Sequence, residues 1–145
     1  MDLQKLKKTN FVLLSQEILN DNPILFSKIQ SAAEVTKEEV PTLLEEVLRF
    51  LFLIKFGNQI LTPSHIVDLA WHELILCTRY YAEFCEKHFE KFIHHHPGGL
   101  EKENHKQFHQ TLKLYNLAFE NISEKYWGSI ATKINEESAC GSCSN

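Results

Sequence analysis

With 145 residues, 43% hydrophobic and 23% charged, the chain is long enough for one domain with a substantial core. A net charge of −4, with histidine neutral, excludes a global basic field that would draw it to nucleic acid or anionic lipid. The longest apolar run, Phe50–Ile54, is far below the ~20 residues a membrane span needs, and Phe11–Leu14 is too short for a secretory signal, so the expected location is the cytoplasm.

In chain order, Asp2 to Leu19 reads as a first helix with Leu3, Leu6, Phe11, Leu14 and Ile18 on its apolar face. Asn20-Asp21-Asn22-Pro23 stops it, and Ile24–Ala33 forms a shorter second helix. Thr36 and Glu39 have capping-box spacing for the next helix, with Pro41 early in that segment. Leu43, Leu44, Val47, Leu48, Leu51, Phe52 and Ile54 make this a strongly buried element that ends near Gly57-Asn58. Thr62 as N-cap and Pro63 at the first helical position open a central helix in which nothing breaks the pattern until about Glu90. Leu100–Ser123 resumes helical periodicity, after which Tyr126, Trp127 and Ile130 pack back on the bundle. The expected architecture is all-α: a single bundle of five or six helices over residues 1–135, with a flexible cysteine-containing tail over 136–145.

The segment 61–97 concentrates the chemistry, holding six of the eight histidines. Val67, Trp71, Leu74, Thr78, Tyr81 and Cys85 form an apolar stripe; a narrow polar strip carries His65, Asp68, His72, Arg79 and Glu83. Asp68 and His72 stand one turn apart, so carboxylate and imidazole can meet each other or one ion. His94, His95 and His96 follow in a turn bounded by Pro97, Gly98 and Gly99. The sharpest reading brings Asp68, His72, His94 and His95 together as metal ligands. Imidazole with carboxylate suits a zinc or iron ion better than calcium or magnesium. Against it stands a structural reading, in which Asp68 orients His72 for helix packing and the histidine run is merely solvated. A metal-free catalytic dyad lacks a nucleophile, because Cys77 points to another side. His105 and His109, also one turn apart, read as ordinary polar residues. Cys77 and Cys85 read as small core residues, too far apart along a helix to pair with each other. Cys140-Gly-Ser-Cys143 reads as an inert tail, with soft-metal capture or a reversible disulfide as the alternatives.

The pattern Val67-Asp68-x-x-Trp71-His72-x-x-Ile75-Leu76-x-Thr78-Arg79-x-Tyr81-x-x-Phe84-Cys85, then Phe92-Ile93-His94-His95-x-Pro97, resembles the glycine-rich domain-containing protein-like family. The likeness extends over roughly residues 40–128 and is to the family's small bacterial members. It implies a helical module and draws attention to the Trp-His and His-His motifs. Leu74 stands where many relatives have a second histidine. The resemblance implies no particular activity. Two functions are therefore carried forward. One is a cytosolic transition-metal-binding helical protein, with a metal-dependent reaction left open. The other is a non-enzymatic interaction module in which the same groups are structural. The expected partner is an unidentified protein or small molecule, with neither nucleic acid nor membrane.

Overall fold

The computed structural model describes residues 2–96 and 98–131. Among these the chain forms eight helices and no strand. They are α1 Leu3–Lys8, α2 Phe11–Asp21, α3 Pro23–Ala33, α4 Glu39–Gly57, α5 His65–Leu76, α6 Thr78–Phe89, α7 Glu101–Ala118 and α8 Glu124–Trp127. The fold class is all-α, as expected, and six of the helices have seven residues or more. The tail over 136–145, its boundary at 135, Cys140, Cys143 and the turn residue Pro97 lie outside the described residues.

Helix α4 is the hub of the bundle. It packs against α2, α5 and α7, and also meets α1 and α3, while α3 leans on α5. Its inward residues Val40, Leu43, Leu44, Val47, Leu48, Phe50, Leu51 and Leu53 are fully buried. A helix apolar on this much of its circumference has to be enclosed by others. The Glu39 side chain accepts a hydrogen bond from the Thr36 N–H at 3.4 Å, one half of the expected capping box. Asn58, left-handed at φ 47°, ends α4 and donates its N–H to Ile54 O.

The long helices expected from periodicity are interrupted in two places. Asp2 to Leu19 is two helices, because the Asn10 side chain accepts from the Leu13 N–H at 3.0 Å and starts α2 afresh. The central helix begins at His65, capped by Ser64 rather than Thr62, and it is also divided. At Cys77 the backbone turns to φ −79°, ψ 63°, ending α5 and starting α6. No glycine or proline marks this break; tertiary bonding selects it. Trp71 Nε1 donates to the Tyr81 hydroxyl at 3.1 Å, and that hydroxyl donates to the Ile93 carbonyl at 2.6 Å. Ten residues of straight helix would separate Trp71 and Tyr81 by ~15 Å of rise. Leu76, the last residue of α5 before the break, is exposed.

Helix α7 ends at Ala118, short of the expected Ser123, because Phe119 becomes extended and sets its ring against Phe11 and Tyr115. Tyr126 and Trp127 return to the core as expected, and Ile130 packs against it.

Candidate metal centre

Asp68 and His72 project from successive turns of α5. His95 comes from the turn after α6, which Tyr81 fastens down through the Ile93 carbonyl. The His95 ring lies against Trp71, with centroids 4.6 Å apart, and is 23% exposed. Asp68 is 29% exposed and His72 53%, so the group sits at the surface with one well-packed member.

Possible ligand atoms of three residues converge. His95 Nε2 lies 2.7 Å from Asp68 Oδ1 and 2.9 Å from His72 Nε2, while His72 Nε2 lies 3.8 Å from Asp68 Oδ2. Such atoms from all three residues fall within 4.8 Å of one another, a geometry able to hold a metal ion. An imidazole nitrogen offers either one N–H or one lone pair. If His95 Nε2 donates to Asp68, His72 must share the same proton. If it accepts from His72, its lone pair faces a carboxylate oxygen. Either way one proton is shared among three acceptors, and each of the three residues has a lone pair it could give to a cation.

The remaining candidates lie elsewhere. His94, one residue from His95, is exposed with its ring 4.6 Å from that of Phe92. It does not join the three. His65, at the start of α5, and His96 are both exposed. His88 is half-buried, with its ring 4.3 Å from that of Phe84. His105 and His109 are on α7 and outside the cluster. Arg79 and Glu83 are exposed. Cys85 is buried as expected, whereas Cys77 is only partly so; both are free thiols. Burial raises the pKa of both, which keeps them protonated.

Two features escaped the sequence reading. One is the Trp71–Tyr81–Ile93 bonding, hidden because Tyr81 reads as one more residue of an apolar stripe. The other is a cleft of about 700 Å³ bounded by Asp68, Trp71 and His95 on one side. Its other walls are the α4–α5 connection, the turn after α6 and the first turns of α7. Thr62 fixes that connection to α7, its hydroxyl donating to Gln107 Oε1 at 2.8 Å and its carbonyl accepting from Thr111 Oγ1 at 2.8 Å.

A family model described as UCP032817-like matches residues 16–135, and the chain belongs to that family. This corrects the resemblance to the glycine-rich domain-containing protein-like family, which nothing supports. The physical reason lies in the motif itself. Val67, Trp71, Tyr81, Phe84, Cys85 and Ile93 are all buried, so much of the pattern reports how a helix pair packs. No curated protein and no solved structure matches the chain.

Proposed function

We propose that this member of the UCP032817-like family is a cytoplasmic transition-metal-binding protein that holds zinc or iron through Asp68, His72 and His95. The observation that carries the reading is the convergence of possible ligand atoms from Asp68, His72 and His95 within 4.8 Å of one another. Ligands in a tetrahedral site with bonds of ~2.0–2.1 Å stand ~3.3 Å apart. His95 Nε2 stands 2.7 Å from Asp68 Oδ1 and 2.9 Å from His72 Nε2, somewhat below that value, so side-chain rotations of a few tenths of an ångström would open the space an ion needs. His94 takes no part in this arrangement. Carboxylate and imidazole donors favour a first-row metal over calcium or magnesium.

Three protein ligands leave a fourth position open, as in catalytic zinc centres and unlike closed structural ones. A metal there would supply Lewis acidity, activating water or polarising a carbonyl. The residues of the chain do the rest: Trp71 packs against His95, and the Tyr81–Ile93 bond sets the height of the turn.

Elemental analysis of protein purified without an affinity tag tests the reading, with zinc titration by calorimetry as its complement. One ion per chain is expected. His72→Ala should abolish stoichiometric binding without unfolding the bundle, since that ring is half exposed, and His105→Ala should leave binding intact. Protons compete for the imidazoles, so affinity should fall as the solution is acidified. Protein that is metal-free and takes up none would leave the Asp68–His95 contact as a tether of the turn. The interaction-module reading would then replace this one.

A further inference from the structure

We infer that the cleft beside Asp68 and His95 binds a small carboxylic acid with an apolar body, whose carboxylate takes the open coordination position. The inference rests on the metal reading above and deepens it. Asp68 and His95 line the cleft while His72 stays outside it, so an ion among the three has the cleft on its open side. The volume of about 700 Å³ suits a small organic molecule.

Charge selects an anion. A dication bound by Asp68 keeps one net positive charge, and Lys91, which lines the same cleft from the turn after α6 and donates to Asn58 Oδ1 at 3.4 Å, adds a second. Glu103 is the one other carboxylate on the lining. A monoanion is therefore attracted, and ligation to the metal fixes which end of it lies deepest. Ile54, Ile60, Leu61 and Phe92 supply apolar wall to the same space, which suits a ligand with a hydrocarbon body. Ile60 is 53% exposed, and a ligand tail would cover it. The connection that carries Ile60 is held in place by the Thr62 bonds to α7, so the wall exists before any ligand arrives.

Cobalt(II) provides the test, because its visible bands report any change in coordination. Protein loaded with cobalt by dialysis is titrated with octanoate, octanamide and acetate. Octanoate should perturb the bands saturably, at concentrations at least about tenfold below those acetate requires, because methylenes are buried as well. Octanamide, which lacks the anionic donor, should leave them unchanged. Ile60→Asn should weaken octanoate several-fold while leaving cobalt uptake and the acetate response as they were. Cobalt-loaded protein whose spectrum ignores octanoate would refute this inference and leave the metal reading standing. So would equal affinity for acetate and octanoate, or indifference to Ile60→Asn. Failure to take up cobalt at all would sink the metal reading, and this inference with it.

Discussion

A carboxylate inside a helical bundle persists only where donors replace its lost water. Glu46, buried on α4, is such a case. It accepts from the Tyr115 hydroxyl at 2.7 Å, from Trp127 Nε1 at 2.8 Å and from Arg49 at 3.0 Å, joining α4 to α7 and α8. Burial, reinforced by the adjacent Glu46 charge, raises the Tyr115 pKa far above the ordinary phenol value, so the hydroxyl remains a donor. Glu46→Ala should lower stability by about 3 kcal/mol in urea titration, since it strands two buried donors. Glu46→Gln should cost less, because a carbonyl acceptor survives. His88 supplies a separate pH dependence. Burial, with a smaller push from Lys87, lowers its pKa, and Glu17 opposes weakly. The unfolded chain therefore binds the proton first as pH falls. Stability should be complete above the ordinary imidazole value of about 6.5 and decline as pH drops through it toward the lower folded pKa. His88→Gln should flatten this slope in urea midpoints measured with chelator present, which removes any contribution from bound metal.

Among the elements, the α5–α6 break is the feature on which the Asp68–His72–His95 cluster depends. An uninterrupted helix would carry Tyr81 away from Trp71 and leave the turn after α6 without its anchor. The Tyr81 hydroxyl joins three parts of the chain, accepting from Trp71 on α5 while donating to Ile93 two residues before His95. Tyr81→Phe retains the ring and its edge contact with Phe92 but removes both bonds. Its stability should drop by about 1–3 kcal/mol, the cost of unmet buried groups. Metal affinity should also fall, roughly tenfold or more, as when an outer partner of a ligating histidine is lost. Calorimetric zinc titration beside thermal melts separates the two effects. Stability loss with unchanged affinity would mean that Trp71 packing alone holds His95.

For the molecule as a whole, the proposed ion would bridge α5 and a turn more than twenty residues further along the chain. A ligand that binds the folded state alone stabilises it by mass action. Added zinc should therefore raise the melting temperature of the wild-type protein, chelator should reverse the rise, and His72→Ala should show neither change. Among the described residues no helix is long and apolar enough to cross a membrane.

Much of the architecture follows from local pattern. The apolar faces of α4 and α7 show as helical spacing, because burying a stripe is what stabilises a helix in water. Asn20-Asp21-Asn22-Pro23 marked the α2–α3 boundary through chemistry confined to four residues. Asp68 and His72 share a face for a similarly local reason, one turn of helix. The cap at Asn10 was legible in principle, but the apolar spacing continued through it and masked the stop. Tertiary contacts decided the remainder. Whether His94 or His95 meets α5 depends on how a non-helical turn is fastened, and that depends on a hydroxyl from another helix. The division at Cys77 carries no breaker residue; across it Trp71 donates to the Tyr81 hydroxyl, which in turn donates to the Ile93 carbonyl. The cleft has no signature in sequence at all, since its walls come from three separated segments that meet only when the bundle closes.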